Sequence, residues 1–171
     1  YRSPLKERVE IMKSICRGVI YAHERHVIHR DLKPANVMLL KDRTVKIMDF
    51  GLAKMLTDTM EEKTSVKGTP LYMSPEQIVG EQVDTLSDIY SLGCTFYRML
   101  TGRPPFSKGD IYYQHLHTPP TPPKMVSPEL PAALDLIVLK CMEKEKRKRF
   151  KSVNELLESL ASLSSVLTSP G

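Results

Sequence analysis

Between Asp84 and Thr101 the chain sets Leu86, Ile89, Tyr90, Leu92, Cys94, Phe96, Tyr97 and Leu100 on nearly every side of one helix, then stops at Gly102. A helix that is apolar all round cannot lie on a surface. It belongs in the middle of a helical domain, with other elements packed about it. This segment therefore predicts a mainly α fold arranged round a central pillar. The 171 residues suit one domain, since a chain of this length buries roughly 70% of the surface it exposes when unfolded. A hydrophobic content of 41% with 26% charged residues is ordinary globular composition.

The remaining elements follow from spacing and punctuation. Ser3-Pro4 reads as a capping hydroxyl followed by Pro at the first helical position, and Ile11, Ile15, Val19 and Ala22 continue at helical spacing, which predicts a helix over 4–25. Val37 to Leu40 and Val45 to Met48 are short apolar runs around Lys41-Asp42-Arg43-Thr44, a small β-hairpin whose turn has no Gly. Residues 52–70 show no periodicity and are rich in Thr, Glu and Lys, which predicts an exposed, mobile segment. Ser74-Pro75-Glu76 restarts a helix by the same cap-then-Pro logic. Thr118 to Pro123 is expected to be a non-helical polyproline II connector. Two helices are expected near 131–143 and 152–163, the second opened by the capping box Ser152-x-x-Glu155, and residues 164–171 read as a tail or linker.

Composition also excludes classes. No run approaches 18 apolar residues, and no secretory pattern opens the chain, so no membrane contact is expected from this segment. Cys16, Cys94 and Cys141 are odd in number and each falls in a helical apolar pattern. They read as buried thiols of a reducing, cytoplasmic compartment. The formal charge is +5, and its densest stretch, Lys144 to Lys151, alternates with Glu143 and Glu145. We read that stretch as a solvated helix end, with no nucleic-acid partner.

The chemistry-bearing residues stand in two groups. Residues 29–36 read His-Arg-Asp-Leu-Lys-Pro-Ala-Asn, and Asp49-Phe50-Gly51 follows thirteen residues later. These resemble the catalytic loop and metal-binding triplet of protein kinases. Gly68-Thr-Pro-Leu-Tyr-Met-Ser-Pro-Glu-Gln77, Ser87-Asp-Ile-Tyr-Ser-Leu-Gly-Cys94 and Leu100-Thr-Gly-Arg-Pro-Pro-Phe106 are most similar to the bacterial-type, eukaryotic-like serine/threonine kinases. The resemblance covers residues 4 to about 163. It implies the helical C-terminal lobe of the kinase fold over residues 1–163.

The resemblance also implies roles. Asp31 would orient the substrate hydroxyl, Lys33 would neutralise the moving phosphoryl group, and Asn36 and Asp49 would hold magnesium, with ATP as phosphoryl donor. Met38 matches the position under the adenine ring. Arg30 would pair with a phosphate added to the activation segment, with Thr64 first and Ser65 second as the acceptor. Thr69, Pro70 and Tyr72 would form the ledge for protein substrates. Glu76 should pair with Arg149, Asp88 should anchor the catalytic-loop backbone, and His29 should stack on Phe50, next to Gly51. No glycine-rich loop, Val-Ala-x-Lys strand or partner Glu stands upstream, so the chain looks like a large lobe whose small N-terminal lobe is a missing partner. The expected activity is γ-phosphoryl transfer to serine and threonine, negligible in this piece by itself. A parent chain could be membrane-tethered. The alternative is a kinase-derived docking or scaffold module without catalysis.

Overall fold

A computed structural model describes the backbone of residues 3–50 and 70–167, and side chains as far as Leu163. The first helix, α1, spans Leu5–His23 and buries Val9, Met12, Ile15, Cys16, Val19 and Ala22. Its start differs from expectation. Pro4 is itself the N-cap, with no side-chain cap, and Ser3 lies one position too early to serve. A 3-10 turn, Pro34–Asn36, leads into β1 (Val37–Leu39), which pairs antiparallel with β2 (Val45–Ile47) in the register Val37↔Ile47, Met38↔Lys46, Leu39↔Val45.

The hairpin turn works without glycine. The Arg43 amide donates to the Leu40 carbonyl at 2.9 Å, and Arg43 takes the left-handed conformation (φ 67°) that glycine usually fills. The Asp42 carboxylate accepts from the Thr44 amide at 3.0 Å, closing the turn locally. Arg43 then reaches Glu7 of α1 at 3.0 Å, so the turn residue also fastens the hairpin to the helix.

Among the described residues six further helices follow: α2 (Pro75–Val79), α3 (Thr85–Thr101), α4 (Ile111–His117), α5 (Pro123–Val126), α6 (Ala132–Cys141) and α7 (Val153–Leu167). The fold is thus mainly helical with one small hairpin, as the sequence predicted. Helix α3 is the pillar. Every residue from Ser87 to Leu100 is buried except Arg98. Asp84 caps its N-terminus by accepting from the Leu86 amide at 2.9 Å, and Gly102 ends it at φ 79°. Arg8 of α1 donates to the last-turn carbonyls of Leu100 and Met99, at 3.0 and 3.4 Å, so a cation closes the negative end of the pillar. Gly93 lets α6 approach closely, for a Cβ there would lie 2.7 Å from Cys141 Cβ.

Three expectations are corrected. Pro123 opens α5, because Pro at a first helical position has no amide hydrogen to lose, so only Thr118 to Pro122 is non-helical. Helix α7 runs to Leu167, four residues past the end expected at 163. In the box that opens α7, Ser152 does accept from the Glu155 amide at 3.2 Å, but the Glu155 carboxylate takes the Lys151 amide at 2.7 Å, one residue earlier than expected.

The three cysteines converge on this core and are all free and buried. Burial pushes Cys16 and Cys94 up to about 12, and Cys141 well above its usual value. We expect none of them to react with a thiol reagent such as Ellman's at pH 8 in the native protein, and all three to react in denaturant. Rapid native labelling of even one would show that the core opens locally.

Candidate active site

Asp88, in the first turn of α3, is fully buried, yet its carboxylate lacks no partner. Oδ2 accepts from the His29 amide at 2.9 Å and lies 2.8 Å from His23 Nε2, while Oδ1 accepts from the Arg30 amide at 2.9 Å. An unpaired buried carboxylate would be very costly, so these contacts are obligatory. They hold the 29–31 backbone against the pillar. Arg30 is consequently held at φ 70°, a left-handed conformation that costs a non-glycine residue about 1–3 kcal/mol. The Asp31 amide donates to His29 Nδ1 at 3.1 Å, and His29 Nε2 lies 2.8 Å from the Met48 carbonyl. The His29 ring meets Phe50 at 4.6 Å between centroids.

The structure brings Asp31, Lys33 and Asn36 together. Asn36 Nδ2 donates to the Asp31 carbonyl at 2.8 Å and to Asp31 Oδ2 at 3.1 Å. Both acceptors can only accept, so the amide orientation is unambiguous and Oδ1 is the end left for another partner. Lys33 Nζ lies 3.0 Å from the same Oδ2. Asp49 joins through the backbone: the Met48 amide donates to the Asn36 carbonyl at 2.9 Å, which places residue 49 beside residue 36 across the hairpin mouth. Asp49 is also left-handed, φ 58°, a conformation aspartate tolerates better than most residues. The Asp31 side chain is 48% exposed, so among the described residues this is an open face. A cavity of about 410 Å³ between α1 and the hairpin is lined by Ile11, Leu39 and Arg43, away from Asp31. Met38 is 43% exposed on β1.

Among the described residues no three His, Cys, Asp or Glu side chains form a metal cage. The donors here are of another kind: one amide oxygen and one carboxylate, hard oxygens that suit magnesium when phosphates complete the shell. The residues present fit that ion.

The ledge is described from Pro70 onward; Gly51, Thr64, Ser65 and Thr69 lie outside the described residues. Ser91 of α3 donates to the Tyr72 carbonyl at 2.7 Å, and Arg98, the exposed residue of the pillar, donates to the Tyr72 hydroxyl at 3.0 Å. Ser74 caps α2. Its amide and hydroxyl both donate to Gln77 Oε1 at 3.1 Å, and Gln77 Nε2 donates to the Arg30 carbonyl at 2.7 Å.

Beneath the ledge Glu76 and Arg149 form a buried bidentate pair, at 2.8 and 3.0 Å. Arg149 also donates to the carbonyls of Glu143, Leu86 and Lys144, so all five of its N–H groups are used. Burial alone would raise the Glu76 carboxyl, but bonds from Arg149 and from Ser87 (2.6 Å) outweigh it and hold it below the usual range. The Lys144–Lys151 stretch is thus not simply a solvated helix end. Lys144 is half-buried and donates to the Gln114 carbonyl at 3.0 Å and the Tyr90 hydroxyl at 3.3 Å, and desolvation first of all brings it down to about 8.

His115 of α4 was invisible in sequence. It is fully buried, with Nδ1 at 2.9 Å from the Tyr90 hydroxyl, Phe106 against its ring, and no aligned partner for Nε2 among the described residues. Burial, then the Lys144 charge, pushes it down to about 4, although the nearby Leu71 and Pro70 carbonyls act the other way. Gln77 was also missed, though Ser74-x-x-Gln77 is a visible capping box.

Comparison with known proteins settles the class. Residues 3–160 match the protein kinase domain family, and the chain belongs to it. It is 41% identical over 161 residues to the serine/threonine-protein kinase PknB of Mycolicibacterium smegmatis, covering 91% of this chain and 26% of that protein. It is 44% identical over 162 residues to the probable serine/threonine-protein kinase SCO3848 of Streptomyces coelicolor, covering 91% and 24%. The chain thus spans about a quarter of the length of the relatives it matches. Among the described residues no helix is long and apolar enough to cross a membrane.

Two predictions follow from the buried charges. Arg149→Leu leaves the Glu76 carboxylate buried without its cation and should cost about 3–5 kcal/mol in urea unfolding, whereas Glu76→Gln with Arg149→Leu should recover part of the loss. A single variant within 1 kcal/mol of wild type would contradict the pair's assigned role. Acid should also destabilise the fold. The unfolded chain protonates His115 near pH 6.5 while the native state keeps it neutral to about 4, so its stability contribution is lost as pH falls through that window. Glu76, held low, adds a loss in the same direction below about pH 4.5. Replacing His115 by Gln should flatten the upper part of a urea-midpoint profile between pH 6.5 and 5.

Proposed function

We propose that this chain is the large lobe of an ATP- and magnesium-dependent serine/threonine protein kinase that acts on protein substrates in the cytoplasm. The observation that carries the reading is the Asn36 amide bound to both Asp31 oxygens, with Lys33 on the same carboxylate. Asp31 orients the incoming hydroxyl and can take its proton, for Asn36 and Lys33 hold its Oδ2 and the side chain is half-exposed. Lys33 keeps a positive charge beside the reacting oxygen. Asn36 presents Oδ1, and Asp49 a carboxylate, to magnesium, which when bound supplies charge neutralisation across the nucleotide phosphates. Met38 offers an apolar surface for the adenine.

Residues on the other side of the cleft are the work of a small lobe, which this reading takes as the partner. Arg30, Thr64 and Ser65 keep the regulatory assignment made from sequence, and Thr69, Pro70 and Tyr72 that of the ledge. Positioning dominates phosphoryl transfer, so the chain alone should turn over negligibly.

A hybrid with the small lobe of the Streptomyces coelicolor relative joined ahead of residue 1 tests the reading. Radiolabelled phosphate should pass from ATP to a serine/threonine protein substrate in the hybrid and not in the separate chain. Asp31→Asn should lower kcat by about 10²–10⁴-fold at unchanged thermal stability. Full activity of the Asp31→Asn hybrid would refute the assignment.

A further inference from the structure

Besides the Asn36 amide on the Asp31 carbonyl, four contacts fix the backbone on either side of Arg30, and they are not equivalent. Asp88 takes the amides of His29 and Arg30, and His29 Nδ1 takes the amide of Asp31. All three hold N–H groups. The oxygen of the Arg30–Asp31 peptide is held by a single side chain among the described residues, that of Gln77 at 2.7 Å. Arg30 has φ 70°. Rotation of the next peptide plane is the direct way for a strained left-handed residue to relax, and it would swing the Asp31 side chain with it.

We infer that Gln77 is a positioning residue for phosphoryl transfer: its amide locks the Arg30–Asp31 peptide and so aims the Asp31 carboxylate. This rests on the reading of Asp31 given above. Orientation of the Gln77 amide is settled by its neighbours. Nε2 faces a carbonyl, which only accepts, and Oε1 faces the Ser74 amide, which only donates. One end of the side chain therefore belongs to the start of α2, directly after the ledge, and the other to the catalytic loop. Glu76, the preceding residue, anchors that helix from beneath through Arg149, which gives the fork a rigid base.

Gln77→Glu separates the two ends. A carboxylate still accepts from the Ser74 amide and hydroxyl, so the helix cap survives. At neutral pH it cannot donate to the Arg30 carbonyl. In the isotope-labelled 1–171 chain, we expect the Arg30 carbon shifts to leave the left-handed range. Hydrogen exchange at Asp31 should rise tenfold or more, while amides of α3 and the urea midpoint stay at wild-type values. Gln77→Met, which loses both ends, should show the same loop signature and serves if the charged variant does not fold. In the hybrid kinase, Gln77→Glu should lower kcat at least tenfold with KM for the protein substrate changed less than threefold. Unaltered Arg30 shifts and Asp31 exchange would overturn the inference, as would a loosened loop with undiminished kcat. A hybrid inactive even with Gln77 intact counts against the Asp31 reading instead, and the resonance and exchange data then decide the role of Gln77.

Discussion

The Asp88 carboxylate is the contact on which the remaining geometry depends. It lies with no solvent exposure at the start of the pillar, where the helix dipole favours a negative charge, and three donors converge on its two oxygens. Two of those donors are consecutive backbone amides. A carboxylate that accepts from consecutive amides dictates where the chain runs, because the peptide planes must turn their N–H bonds inward together. The left-handed Arg30 is a consequence of that demand. Core packing supplies the rigidity, since α3 is buried on all sides and cannot tilt to accommodate a looser loop. Reactive side chains on an open surface are thus held by a charge in the interior.

The first turn of α3 has a second duty. Ser87, adjacent to Asp88, donates to Glu76, which in turn is clasped by Arg149. The ledge side and the catalytic-loop side of the site therefore hang from neighbouring residues of one helix turn. Such buried pairs are poor sources of stability, because desolvating two charges offsets most of their attraction. Their use here is geometric. An apolar contact could slide by an ångström, whereas a bidentate guanidinium with all five hydrogens committed cannot shift without leaving donors unpaired.

The pillar was legible because its apolar residues surround the helix, and the site because His-Arg-Asp and Asp-Phe-Gly carry their own spacing. Helix α4 was not legible: Ile111 and His115 are its only buried residues, too few to show a period beside Tyr112, Tyr113 and Gln114. Helix α5 hid in a proline run whose last member opens a helix, and the end of α7 looked like linker because Ala161, Ser162, Ser164 and Ser165 are small. The basic stretch misled for a different reason. Charges alternating along a sequence suggest solvent, and only Arg149 was expected to turn inward, to Glu76; Lys144 does so too, to the Gln114 carbonyl, a choice that depends on which acceptors the fold has left unpaired.

His115 shows how far such local choices extend. Its imidazole fills a space bounded by Phe106, Tyr90 and the Pro70–Leu71 backbone, so helix α4 reaches the ledge through one ring. A leucine could fill that volume, but it could not meet the Tyr90 hydroxyl. Tyr90 in turn lies under the Arg149 guanidinium at 4.9 Å and within reach of the Lys144 amine. Two cations over one aromatic ring repel each other, and the arrangement is tolerable because the ring face and several carbonyls share the positive charge. His115 must then remain neutral, for a third cation in that space would have no anion to meet except Glu76, already committed to Arg149. The surroundings below the ledge thus favour the neutral imidazole of His115.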